Sequence, residues 1–425
     1  MEQLNIYIKK RPLQRWLILY VLLMPFVLPT LLQWLGLSRI INYTIDVVIL
    51  VLFLVICGRS RIEKPRNIIP FVVFIGLFFT YSLVVYLFNY QSLFYFLWGV
   101  RNNFRFYIAF LACVLFLEAE DVESFFRFLD ILFWLNFVVT LVQFFLLDYN
   151  QDFLGGIFGV ERGANAGTLV FYVFVLMRSI LLFFEGEEKY WLCFMKCAVA
   201  CLVAAMAELK VFYLFFVFIL ILSMILTRAS WKKGALLIVV SLFFIVSNLI
   251  LVTLFQSDLF WENILKLITA KSYSSQQDLG RFSAIPTISE TILTDTTSQL
   301  FGLGLGNCDT SSFSVCNTPF FEIHQNLHYT WFSSAFLFLE TGYVGMILYF
   351  AFYVLCIVGA IKMFVRKEGN RLYQQMGIIM AFVCFILVFY NASLRSEIGY
   401  VVFFALSLPF VAPKSNEIVC RKGII

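Results

Sequence analysis

Residues 16–37 read WLILYVLLMPFVLPTLLQWLGL, directly after Lys9, Lys10, Arg11 and Arg15. A basic flank before an apolar run also opens a secretory signal, but this run is too long for one and has no small-residue cleavage site. Its length suits a helix crossing the ~30 Å hydrocarbon layer of a bilayer. We therefore read it as a retained transmembrane helix. The same pattern recurs to the end of the chain, which is 62% hydrophobic, 19% aromatic and only 13% charged over 425 residues. A soluble chain of this size needs a charged surface, so the fold class expected is an all-α polytopic membrane protein whose main solvent is lipid.

About twelve crossings are expected, at residues 16–37, 40–57, 68–88, 104–117, 125–147, 166–184, 191–207, 211–227, 234–255, 343–361, 376–394 and 398–411. The fourth and twelfth are short and are expected to extend into flanking polar residues or to sit partly inside the bundle. An even number of crossings puts both termini on one side. Twenty of the 31 Lys and Arg residues then fall on that side, among them Arg59, Arg61, Lys64, Arg228, Lys232, Lys233, Lys362, Arg366 and Lys367. The positive-inside rule makes it cytoplasmic. The formal charge of +5 is too small and too scattered to imply nucleic-acid binding.

Arg228, Lys232 and Lys233 precede the ninth crossing, and Lys362, Arg366 and Lys367 follow the tenth. The segment 256–342 between these crossings is thus expected outside, too long for a bare connection. The divisions expected are a transmembrane bundle over 1–255, this extracytoplasmic loop over 256–342, transmembrane helices over 343–413 and a cytoplasmic tail over 414–425. Within the loop, 258–270 has the spacing of an interfacial helix. The apolar run 327–339 is read as lying at, or dipping into, the outer surface. Cys308 and Cys316 are the two cysteines of this polar loop and are disulfide candidates on the oxidising side.

The chain has two histidines, His324 and His328, both late in the loop. Four residues apart, they would share a helix face. Histidine is the side chain suited to taking a proton near neutral pH. The pattern His-Glu-x-x-His is absent, and no metal site is assigned. Arg101, Arg105, Arg162 and Arg281 lie on the outer side against the positive-inside trend. Guanidinium forks match phosphate oxygens, so an anionic lipid-linked substrate is the inference. Gly302, Gly304 and Gly306 in Phe301-Gly-Leu-Gly-Leu-Gly lack the strand-to-helix setting of a dinucleotide fingerprint and point instead to a tight turn or close backbone approach.

The ordered set Gly280-Arg281, Leu300-Phe-Gly-Leu-Gly-Leu-Gly306, His324-Gln-Asn-Leu-His328 and Leu339-Glu-Thr-Gly-Tyr-Val-Gly345 resembles the periplasmic loop of the O-antigen polymerase and ligase family. Glu340, Gly342 and Gly345 form the last of these motifs. The resemblance implies a GT-C-like fold in a bacterial inner membrane and inverting transfer of an undecaprenyl-diphosphate-linked glycan to a sugar hydroxyl. It implies no cofactor, and a flippase and a chain-length regulator as partners. Either histidine could be the base, with His328 favoured, and Arg281, Arg101, Arg105 and Arg162 would hold the diphosphate. Polymerase of an O-antigen or capsule repeat is the first reading. The alternatives are a ligase acting on a lipid-core acceptor and a lipid-linked glycan flippase or transporter.

Overall fold

The computed structural model describes residues 12–58, 68–227, 278–310 and 317–411, with scattered positions between 234 and 272. The ninth expected crossing, most of the 258–270 helix and Cys316 lie outside the described residues. Within them the chain is helical: α1 (Leu13–Gln33), α2 (Tyr43–Gly58), α3 (Ile69–Phe88), α4 (Leu93–Phe116), α5 (Ala119–Phe145), α6 (Asn165–Glu185), α7 (Tyr190–Met206) and α8 (Lys210–Leu226). Short helices α9 (Ala284–Thr291), α10 (Thr296–Phe301) and α11 (Pro319–His324) follow, then α12 (Ser333–Arg366), α13 (Arg371–Tyr390) and α14 (Gly399–Ser407).

Among the described residues, seven helices (α1, α2, α3, α5, α6, α12 and α13) are long and apolar enough to cross a membrane. The chain is an α-helical membrane protein. Helices α7, α8 and α14 are apolar but shorter. The short fourth stretch expected from the sequence begins earlier, at Leu93, so that Arg101 and Arg105 sit mid-helix rather than at its start.

Helix α6 is the most enclosed of the seven, whereas α2 turns Val47, Leu50, Phe53 and Leu54 outward. Such a difference separates a bundle core from a lipid-facing rim. Phe352 of α12 meets Phe71, Phe74, Tyr107, Phe110 and Phe403, so aromatic edge and face contacts knit α3, α4, α12 and α14 together. Helices α12 and α13 pack as a hairpin across the short turn at Gly369, and α14 lies against α4 and α13.

Helix α12 is kinked at Gly342 (φ 59°, ψ −166°), and its first stretch, Ser333 to Gly342, is wholly buried. The later part of the run expected to lie at or dip into the outer surface, from Ser333, is therefore packed against the rest of the protein, and the kink at Gly342 divides it from the helix expected from 343. The reason is hydrogen-bond accounting, because a kink strips the preceding carbonyls of their helical donors. Here the Leu339 carbonyl accepts from the Leu303 N–H (2.8 Å), Glu340 from the Gly304 N–H (3.0 Å) and Thr341 from the Tyr81 hydroxyl (2.6 Å). With its donors supplied by the glycine-rich loop and α3, the kinked segment tolerates burial.

Candidate functional site

The loop and kink interlock through their glycines. Gly302 has φ +74°, and a Cβ there would lie 2.5 Å from the Glu340 carbonyl carbon; one on Gly342 would lie 2.5 Å from that of Leu300. Only glycine allows both the left-handed backbone and this approach. Gly304 and Gly306 press in the same way on Gln91 and on the Tyr95 and Gly99 backbone, and Gly345 leaves room for the Thr341 side chain. The motifs at 300–306 and 339–345 thus form one physical unit.

That unit delivers Cys308 and Asp309 to a buried charge cluster. Glu340, fully buried, accepts the Gly306 N–H at 2.7 Å and faces the Arg395 guanidinium at 3.6 Å. Arg395 lies 3.8 Å from Asp309, which also accepts from the Asn102 amide, and its guanidinium stacks on Phe336. Burial pushes the Asp309 carboxyl above the ordinary carboxylate range, while Arg395 and Asn102 pull it down. Burial, joined by the charges of Glu340 and Asp309, holds the Cys308 thiol well above its usual range. Cys308 is buried with a free thiol. Glu340 is thereby a structural tie between loop and kink.

Arg101 and Arg105 occupy the neighbouring part of this polar seam. Arg101 pairs with Asp46 and stacks on Trp98 and Tyr43. Arg105 lies 3.9 Å from Asp46 and 3.5 Å from Glu397 and donates to the Arg395 carbonyl at 2.8 Å. Both guanidinium groups are committed to internal carboxylates, and neither lines the main cavity.

The main cavity has a volume of about 660 Å³. Its wall draws on late α1 (Pro25, Pro29), the starts of α6 (Asn165) and α8 (Lys210), the end of α13 (Tyr390) and the α13–α14 connection (Asn391 to Ile398). Arg162 and Arg281 line it, set on aromatic plates: Arg162 over Trp331 at 4.6 Å and Arg281 over Tyr390 at 4.2 Å. Phe282, stacked on Phe389 at 5.8 Å, fastens the Arg281 segment to α13. Lys210 is there too, paired with Glu208 at 2.9 Å, and Asn165 donates to Asp152 at 3.3 Å.

Neither histidine lines the cavity, and the two do not share a helix face. Helix α11, capped by Thr318 and opened by Pro319, ends at His324; the chain tightens through a 3₁₀ turn at Gln325–Leu327 and reverses at His328 (φ +52°, ψ +29°). Helical spacing therefore does not persist across them. His324 folds onto Phe320 at 4.5 Å, and His328 onto Trp331 at 4.0 Å. The His328 Nδ1 lies 2.9 Å from the Asn326 carbonyl oxygen, which can only accept, so Nδ1 carries the proton and the Nε2 lone pair of the neutral ring is left for another partner. Left-handed backbone at a non-glycine residue costs about 1–3 kcal/mol and often marks a functional position.

Sequence reasoning singled out Arg162, Arg281 and His328 but not Arg395, Asp309, Trp331 or Tyr390. The lone Asp46 in an apolar stretch and the polar break Asn391-Ala-Ser-Leu-Arg395 between two apolar runs were the available signals. Among the described residues no group of three or more His, Cys, Asp or Glu side chains is arranged to hold a metal ion. No protein-family model matches this chain, and no curated protein does.

Proposed function

We propose that this chain is a twelve-pass membrane glycosyltransferase that extends a polysaccharide on the outer face of a bacterial inner membrane. Its donor is a glycan on undecaprenyl diphosphate, and its acceptor is a sugar hydroxyl of another lipid-linked repeat. The observation that carries this reading is a cavity of about 660 Å³ lined by Arg162 and Arg281 on aromatic plates, with His328 outside the lining but tilted against one of those plates, Trp331. Every helix end in its wall is one that the basic-residue distribution assigns to the outer side: the ends of α1 and α13 and the starts of α6, α8 and α14.

In the proposed step the acceptor oxygen attacks the anomeric carbon, and its proton passes to His328 Nε2. The bond from that carbon to the diphosphate oxygen breaks with its electron pair staying on the diphosphate. Arg162 and Arg281 stabilise the charge that develops there, a role preorganised donors perform best where water is excluded. Arg101 and Arg105 pair with Asp46 and Glu397 and do not line the cavity, so we place the anion on the cavity arginines and give this pair a supporting role.

The test is reconstitution of the purified protein with its lipid-linked repeat and no nucleotide sugar. A ladder of carrier-linked chains is expected from the wild type and from neither His328→Ala nor Arg281→Ala, with all three inserted equally. Wild-type ladders from both variants would overturn these roles. Product appearing only on a lipid-core acceptor would replace polymerase by ligase.

A further inference from the structure

Trp331 is in contact with both the imidazole of His328 and the guanidinium of Arg162. His328 reaches it from three residues upstream, through the left-handed reversal, with ring centroids 4.0 Å apart. Arg162 reaches it from the connection between α5 and α6, more than 160 residues away in the chain, at 4.6 Å from the ring centre. The indole itself lines the cavity and is partly buried. It sits between an α12 start that is fixed in the bundle, where the Ser333 N–H donates to the Asn391 carbonyl at 3.1 Å, and Tyr329, whose hydroxyl donates to the Cys308 carbonyl at 2.6 Å.

A guanidinium on an indole face is held by the ring quadrupole, and Trp is the strongest such partner among the aromatic side chains. An imidazole on the same indole is held by stacking and by the backbone that brings it there. One ring in contact with both means that neither can shift without disturbing the surface that seats the other. We propose that Trp331 is a positioning residue that couples anion capture by Arg162 to placement of the His328 imidazole. It touches no reacting atom and takes no proton. This inference rests on the proposed glycosyl transfer for its catalytic consequence, but the coupling itself is a property of the free protein.

The experiment uses full-length protein labelled with ¹³Cε1-histidine, which gives two imidazole resonances because the chain has two histidines. The His324→Gln spectrum assigns them. The His328 signal of the wild type is expected to carry an upfield ring-current shift and to move on addition of inorganic pyrophosphate. Trp331→Leu is expected to lose both effects; Trp331→Phe, which keeps a ring face, should retain a reduced ring-current shift and the response to pyrophosphate. Arg162→Gln should lose the pyrophosphate response and keep the ring-current shift. In the polymerisation assay, Trp331→Leu should raise donor KM and lower kcat, each roughly tenfold, with Trp331→Phe restoring most of both.

A pyrophosphate response that survives in folded Trp331→Leu overturns the coupling, as does a His328 signal without a ring-current shift in the wild type. If Trp331→Leu does not fold, the Trp331→Phe and Arg162→Gln spectra decide the matter alone. Intact coupling in a wild-type protein that makes no ladder would sink the proposed function and leave this inference standing.

Discussion

Replacing Arg395 with Met would leave Glu340 and Asp309 buried without their shared cation. The Arg395 side chain is 14% exposed, Glu340 is fully buried and Asp309 is 6% exposed, so solvent screens the cluster little. Removing one partner of a buried ion pair costs about 3–5 kcal/mol, because the abandoned charge stays desolvated. The response has a pH signature. Asp309 already sits above the ordinary carboxylate range through burial, with Arg395 opposing. Removing Arg395 moves it higher. A carboxyl whose folded pKa is raised holds its proton more tightly in the folded protein, so stability is greatest below the unfolded value and falls as pH rises through the folded one. Arg395→Met is thus expected to lose most at pH 8 and to recover part of the loss near pH 5. Cys308, adjacent in sequence and buried, reports the loosening. A local opening made easier by about 3 kcal/mol exposes its thiol on the order of 100-fold more often. The assay is mass-spectrometric measurement of Cys308 labelling by a thiol reagent in detergent micelles, normalised at each pH to a solvent-exposed thiol. Labelling at the wild-type rate, or a loss that deepens on acidification, would refute the reasoning.

Other expectations can be checked with the same purified protein. Gly342→Ala places a Cβ 2.5 Å from the Leu300 carbonyl carbon at a φ of +59°, and thermal unfolding in detergent should show a loss of about 1–3 kcal/mol, more than Gly36→Ala, where nothing stands within 4 Å. Lys196 reaches Asp130 at 2.9 Å and Glu188 at 2.8 Å, so Lys196→Met should destabilise by about 3–5 kcal/mol and Lys196→Met with Glu188→Gln by less; equal losses would argue against a buried-charge cause. Arg281→Lys should keep the charge above Tyr390 but lose the planar fork, raising donor KM several-fold while leaving unfolding unchanged.

The apolar spans were legible because lipid imposes one strong requirement, a run of about 20 apolar residues. Each of the seven long apolar helices in the structure falls on an expected crossing. The glycines were legible as close-approach points, though not their partner, since Gly302 meets the Glu340 backbone from nearly forty residues away. Pairing across helices was hidden for the same reason: Asp46, Arg101, Arg105 and Glu397 come from two helices and a connection, and no local pattern links them. The histidines were misplaced relative to each other because their four-residue spacing suggested a helix, whereas the Thr318-Pro319 start supports only the six residues of α11 before the chain tightens. Arg162 and Arg281 could be singled out by their expected side of the membrane, but only the fold brings a loop after α5 and a turn before α9 to one wall.

The charge balance of that wall bears on what the cavity can bind. Three cations line it, Arg162, Lys210 and Arg281, and so do three carboxylates, Asp152, Glu208 and Glu397. Lys210 answers Glu208, and Arg105, from behind the wall, answers Glu397. With Glu397 counted against Arg105, the three cations and two remaining carboxylates of the lining sum to a formal excess of one positive charge. That excess is small enough for a neutral glycan to occupy the same space, with carboxylates accepting its hydroxyls. In the proposed transfer, the interaction would then be strongest when the departing diphosphate gains negative charge, the difference between ground and transition state on which catalysis depends. Because general positive potential is scarce here, orientation has to supply the selectivity, and the stacking of Arg162 on Trp331 and of Arg281 on Tyr390 fixes the planes of both forks before any ligand arrives.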